Sequence, residues 1–195
     1  MKKKATIQLF NNANGVMTTQ ELQASGLSFY QINKLLEKEV IQKVKRGIYV
    51  AAESESDEYN LLMKLLPEGV VCLYSAALIY DYSTHLPTQY HVAIPNKAKA
   101  TLPDYPPIQL YYWSKSQRTL GVTQVIHNEV VINIYDKEKT VCDFIKFRNK
   151  IGKNIVKEVI KSYLKDRDRD LNKISEYAKQ LRIATVLNNY FEILL

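Results

Sequence analysis

The stretch Thr18 to Val50, TTQELQASGLSFYQINKLLEKEVIQKVKRGIYV, sets how everything around it is read. Thr18 or Thr19 is placed to cap a short helix from Gln20 to Ala24, because a hydroxyl there accepts an otherwise unpaired amide of the first turn. Ser25-Gly26 stops that helix in a tight turn, and Ser28 caps a second one predicted from Phe29 to about Lys38. Ile32, Leu35 and Leu36 recur at helical spacing and face inward, which leaves Tyr30, Gln31, Asn33, Lys34 and Lys38 outside. From Ile41 to Val50 apolar and basic residues alternate around one glycine, Gly47, as two short strands joined by a tight turn require. Two capped helices followed by a basic hairpin predict a winged helix-turn-helix. Such a unit docks on DNA with a helix in the major groove and its wing on the backbone. The same pattern also suits a small winged domain that contacts protein, its lysines merely solvated.

Upstream, residues 2 to 12 are predicted as a first helix with Ile7, Leu9 and Phe10 as its apolar contacts, ended by Asn14-Gly15. Lys2 to Lys4 are either phosphate contacts or a frayed, solvated terminus. Met1-Lys2-Lys3-Lys4 begins like an export signal, but Ala5 to Phe10 is too short and mixed to continue one, and no stretch is long enough to cross a bilayer. The two cysteines, Cys72 and Cys142, sit in apolar surroundings without metal or disulfide spacing, as in a reducing cytoplasm.

The net charge of +7 is uneven: residues 1–50, 51–140 and 141–195 carry +5, −3 and +5. Positive ends around an acidic middle suit a protein that meets a polyanion on two surfaces, since neutralising phosphates releases counterions.

Downstream, the small, acidic run Ala51 to Asp57 marks a boundary, giving domains 1–52 and 53–195. Ser56 or Ser54 is placed to cap a helix to Leu66 whose apolar face is Tyr59, Leu62, Met63 and Leu66. Ser75 is placed to cap a helix from Ala76 to Tyr82. Alternation at Tyr90, Val92 and Ile94, at Ile108, Leu110 and Tyr112, and from Val122 to Ile134 with a fold near His127-Asn128 predicts strands. Their connections are too short for helices, so a small, mostly antiparallel sheet is expected, with a mixed one as the other choice. From Asp136, itself a cap, the chain turns helical; Gly152 interrupts, Asn154 is placed to cap the next helix, and two closing helices follow the charged turn Lys165 to Asp170. The fold class is therefore α+β. On one helix Lys153, Lys157, Lys161 and Lys165 form a stripe, either a second DNA-contacting face or a solvated one.

Catalytic patterns are missing. His85, His91 and His127 have no metal-ligand spacing, Asp81, Asp104, Asp136 and Asp143 are scattered, and there is no phosphate-binding glycine loop. No catalytic residue, metal or cofactor is expected. The tyrosines between Tyr74 and Tyr112 suit half-buried strands and helix edges better than a stacking platform for single strands.

Three segments together carry a family likeness: the winged stretch, SAALIYDYSTHLPTQYHVAIP (Ser75 to Pro95) and YDKEKTVCDFIKF (Tyr135 to Phe147). Over nearly its whole length the chain resembles the AbiEi antitoxins of bacterial abortive-infection phage-defence systems. The resemblance implies a type IV antitoxin that opposes a nucleotidyltransferase-like toxin without a stable complex. It also implies an autorepressor whose N-terminal domain binds promoter inverted repeats, as a monomer or a cooperative assembly on DNA. Carried over by position, Ser28, Tyr30, Gln31, Asn33, Lys34 and Lys38 are the recognition-helix candidates. Gln31 and Asn33 have the amides to read adenine edges, Lys34 reaches guanine or phosphate, and Lys43, Lys45 and Arg46 hold the backbone. The alternatives are a plain winged-helix transcription factor whose C-terminal half senses a ligand, and a nucleic-acid-processing enzyme, which the missing chemistry disfavours.

Overall fold

The computed structural model describes residues 3–53 and 56–194. Their contacts divide into two compact units, one drawn from Met1–Glu68, Ala100–Pro106 and Ile126–Ile132, the other from Gly69–Lys99, Pro107–Val125 and Asn133–Leu195.

The first unit opens with α1 (Lys3–Asn11), which buries Thr6 and Phe10, and turns through Asn14 and Gly15 at positive φ. Next come β1 (Val16–Thr18), α2 (Thr19–Ala24) and α3 (Phe29–Glu37). The wing strands β2 (Ile41–Lys45) and β3 (Ile48–Ala51) follow, then α4 (Glu58–Leu65). β3 lies between β1 and β2, antiparallel to both, with Val16 opposite Val50 and Lys43 opposite Tyr49. β1 has no counterpart in the sequence pattern: three residues are too few for alternation to show, and they become a strand only by pairing with β3. Phe10, Leu22, Leu27, Ile32, Leu35, Ile41 and Tyr49 form the core. Burying a side chain such as Ile32 is worth about 1.5–3 kcal/mol.

This unit extends past residue 52, because α4 packs on β1. Of the predicted caps for α4, Ser54 lies outside the described residues, as does Lys2 of the terminal lysine run. Asp57 takes the role instead of Ser56, its carboxylate accepting the Asn60 amide at 2.9 Å. The Asn60 side chain in turn donates to the Ala13 carbonyl at 2.7 Å, which pins where the helix starts. Leu61 and Leu65 are buried with Tyr59, Leu62 and Leu66, while Met63 is only half-buried.

The second unit holds β4 (Val70–Val71), α5 (Leu73–Ile79), β5 (Tyr90–Pro95), β6 (Ile108–Trp113) and α6 (Lys115–Thr119). The hairpin β7 (Val122–His127) and β8 (Val130–Tyr135), whose tip Ile126–Ile132 is counted with the first unit, turns at Asn128 and Glu129, close to the predicted fold at His127-Asn128. Then come α7 (Lys137–Lys146), α8 (Arg148–Ile151), α9 (Lys153–Lys165), α10 (Leu171–Gln180) and α11 (Ala184–Leu194). The α+β class stands, with a winged helix followed by a sheet and a helical end. The sheet, ordered β6-β5-β4-β8-β7, is mixed and not mostly antiparallel: β5/β6 and β4/β8 pair parallel, β4/β5 antiparallel. The short connection from β5 to β6 does lack a helix, but it crosses back far enough to align the strands in one direction.

Two predicted caps are corrected. α5 begins before Ser75, whose buried hydroxyl accepts the His91 backbone amide at 2.9 Å and so ties the helix to β5. α9 begins at Lys153 after Gly152, so Asn154 lies inside its first turn. Asp136 is the cap expected, accepting the Lys139 amide at 2.8 Å.

α7 is packed on several sides, by α5, α9, α10 and α11. Its Lys139 and Asp143 are both fully buried, with Lys139 Nζ 2.7 and 2.6 Å from the two carboxylate oxygens. The ammonium also lies 4.5 Å from the Trp113 ring and 4.2 Å from the Tyr135 ring. Gly121 comes so close that a Cβ there would lie 2.7 Å from Lys139 Cβ, and its φ of +68° suits glycine besides.

The tyrosines are mostly packing residues: Tyr82 is buried, Tyr74, Tyr80 and Tyr111 pack half-buried on the core, and Tyr105 and Tyr112 are exposed. His91 Nδ1 lies 2.8 Å from the Tyr111 hydroxyl. Burial, then the charge of His85, lowers the His91 pKa from 6.5 to about 4. Burial raises that of Tyr111 to about 12, so the phenol stays protonated and shares one hydrogen bond with the neutral ring. Between those two histidine values the unfolded chain binds a proton that the folded one refuses. The His91 contribution is therefore complete above about pH 6.5 and is lost as the pH falls toward 4. In urea unfolding at about pH 7 and pH 5, His91→Gln should show a smaller drop between the two than wild type. An equal drop would mean that His91 is not the group taking up the proton.

Candidate nucleic-acid interface

α2 and α3 owe their positions to reciprocal caps. Thr18 Oγ accepts the Glu21 amide at 3.2 Å while the Glu21 carboxylate accepts the Thr18 amide at 2.6 Å. At α3 the Gln31 amide donates to Ser28 Oγ at 3.3 Å and the Ser28 amide donates to Gln31 Oε1 at 2.8 Å. Each pair satisfies two otherwise orphaned donors. Ile32 and Leu35 are buried beneath α3, and Leu36 is half-buried.

Ser28, Tyr30, Gln31, Asn33, Lys34 and Lys38 all stand exposed. They are not equivalent. Ser28 and Gln31 are committed to the cap, so the Gln31 amide oxygen already has a donor before any base arrives. Lys34 Nζ sits 4.9 Å over the Tyr30 ring, a cation–π contact that orders both side chains. Lys38 is the C-cap residue. Gln31, Lys34 and Lys38 also border a shallow hollow of about 90 Å3 floored by Leu27 and Leu35. Asn33 keeps its amide uncommitted among the described residues.

Phe29, 62% exposed beside Tyr30 at 66%, belongs to this surface although no polar signal marks it in the sequence. The available signal was its place directly after a cap, where the first turn of a recognition helix meets base edges.

In the wing, Lys45 pairs with Ile48, leaving Arg46-Gly47 as a two-residue turn, and the register shifts between Lys43 and Lys45. Gly47 has φ +82°, a left-handed value at the second central position of the turn that glycine adopts without strain. The Thr19 amide donates to the Gly47 carbonyl at 2.9 Å, tying the wing tip to the first turn of α2. Lys43 and Arg46 are exposed and Lys45 half-buried. Helix and wing thus belong to one braced unit. At the terminus, Lys3 is held by Glu53 at 2.6 Å.

In the second unit, Lys153, Lys157, Lys161 and Lys165 are exposed along α9 without an ion-pair partner among the described residues. Cys72 and Cys142 are buried free thiols whose pKa values burial raises. His85 packs tilted against Tyr74, and in the first unit His127 packs edge-on against Tyr59. Asp136 serves as a cap, and Asp143 is closed off by Lys139. Among the described residues no group of histidine, cysteine and carboxylate side chains is placed to hold a metal, and no helix is long and apolar enough to cross a membrane.

No curated protein matches the chain. Among solved structures, the RV2827C protein from Mycobacterium tuberculosis is similar at a TM-score of 0.48 and 12% identity, over 93% of this chain and 78% of that one. Residues 5–52, which hold most of α1, the helix-turn-helix and the wing, match the family described as "Transcriptional regulator, AbiEi antitoxin". Over that N-terminal segment, the chain is similar to the AbiEi antitoxin transcriptional regulators.

Proposed function

We propose that this protein is an antitoxin that also represses its own operon. Residues 1–52 bind inverted repeats in the promoter, and residues 53–195 oppose a nucleotidyltransferase-like toxin in the cytoplasm without a stable complex, a catalytic step or a cofactor. One observation carries the DNA-binding part: the segment matched by the regulator family is the one that presents an exposed, doubly capped helix beside a basic two-strand wing. In this reading α3 enters the major groove. Asn33 pairs with an adenine edge, and Lys34 with guanine or phosphate. Phe29 and Tyr30 meet thymine methyl groups, while Ser28, Gln31 and Lys38 hold the helix ends against the groove. Inverted repeats require two recognition units, so two copies act together on DNA.

The test is a pair of measurements on the full-length chain. Titrated against its own upstream region and against shuffled DNA, the wild type should prefer the former. Asn33→Ala should narrow that preference by about 1–3 kcal/mol, the worth of one bidentate base contact. Charge reversal at Lys157 and Lys161 should weaken both DNAs if the α9 stripe touches phosphate, and unchanged affinity would make it a solvated face. Expressed with the neighbouring toxin, wild type and Asn33→Ala should both restore growth, because repression and antitoxin action reside in different segments. Full-length variants suit this test better than a cut at residue 52, which would divide the first compact unit. Failure of the wild type to rescue cells from an active toxin would overturn the antitoxin reading.

A further inference from the structure

In the second unit, Ser114, Ser116 and Gln117 from the start of α6, Lys146 from the end of α7 and Arg182 just after α10 border a cleft of about 460 Å3. That size lies within the range of small-molecule sites. Its walls are mainly polar, and no carboxylate lines it among the described residues. Gln117, one of the lining residues, has its Nε2 buried without a hydrogen-bond partner. Buried donors are almost always satisfied, so an orphan on a lining residue marks a place where an acceptor is missing. Arg182 stands in the left-handed backbone region at φ +59°, an uncommon position for a non-glycine residue, and makes no ion pair among the described residues. Burial lowers the Lys146 pKa, so this half-buried ammonium gains from an anion that lies against it. Leu120 and Leu181 supply a small apolar wall.

We propose that this cleft binds a small phosphorylated molecule of nucleotide size. The phosphate is held by Lys146, Arg182 and the Gln117 amide, and the apolar end rests on Leu120 and Leu181. Phosphate suits the donor set because two cations and a neutral N–H donor belong to residues lining one cleft with no carboxylate among them, Asp143 acting on Lys146 from outside the lining. The site is separate from the proposed DNA-contacting residues and does not rest on the DNA-binding reading.

Calorimetric titration of the full chain with inorganic pyrophosphate, AMP and adenosine at constant ionic strength tests it. Pyrophosphate and AMP should bind saturably and adenosine should not. Arg182→Gln, a change at an exposed side chain, should weaken both ligands about tenfold or more, and Gln117→Leu should weaken them without unfolding the chain. AMP binding more tightly than pyrophosphate would support the contribution of the apolar wall. Adenosine binding as well as AMP, no saturable binding of either phosphate, or loss of binding in Arg46→Gln with none in Arg182→Gln would each overturn the proposal.

Discussion

Lys139→Ala should lower the unfolding free energy by about 3–5 kcal/mol, the cost of leaving a fully buried carboxylate without its partner. The reason lies in the asymmetry of buried ion pairs. Taking both charges out of water is expensive, and the attraction at 2.6 Å largely offsets that expense, so the pair as a whole adds little. Removing one member leaves the expense and deletes the offset. Burial already pushes the Asp143 pKa up against the pull of Lys139, and without the lysine the carboxyl would be driven further toward its neutral form. Asp143→Ala should cost a similar amount, since it strands the ammonium between the Trp113 and Tyr135 rings. The double variant Lys139→Met with Asp143→Leu should recover most of the loss, because two apolar side chains of similar volume need no partner. Trp113 is the chain's single tryptophan and touches the ammonium, so its fluorescence in a urea titration reports the site directly. A loss below about 1 kcal/mol in the single variants would mean that water reaches the pair.

Neutralising the wing should have the largest effect on DNA binding. With Lys43, Lys45 and Arg46 all changed to glutamine, affinity for operator and for shuffled DNA should fall together, by about 10²–10³-fold at 0.1 M salt. Each phosphate contact contributes about 0.9 to the slope of log affinity against log salt, so three lost contacts flatten that slope by about 2.7 and weaken binding about eightfold apiece. Backbone contacts carry no base information, which is why both DNAs should suffer alike. Fluorescence anisotropy at several salt concentrations checks both numbers. A loss confined to the operator would place the wing on base edges. An unchanged salt slope would remove it from the DNA altogether.

The winged segment was legible in the sequence because its determinants act over a few residues. Ser28 meets Gln31 three positions on, Ile32 and Leu35 share a face by helical period, and Gly47 supplies the positive φ of a two-residue turn. The hairpin of β7 and β8 and the Asp136 cap were legible for the same reason. Only partners distant in sequence settled the rest. β1 exists because β3 pairs with it, α4 starts where Asn60 reaches the Ala13 carbonyl, and Ser75 is turned from a cap into a tie by the His91 amide. The direction of β6 beside β5 depends on how a connection crosses, which alternation does not encode. Lys139 and Asp143, four apart on one helix, have the spacing of an ordinary surface pair. Their neighbours on all sides make them a buried one. The cleft of Gln117, Lys146 and Arg182 joins three distant segments, none of which carries a motif. Caps, periods and turns are local free energies written in adjacent residues; burial and strand pairing are properties of what the folded chain brings alongside them.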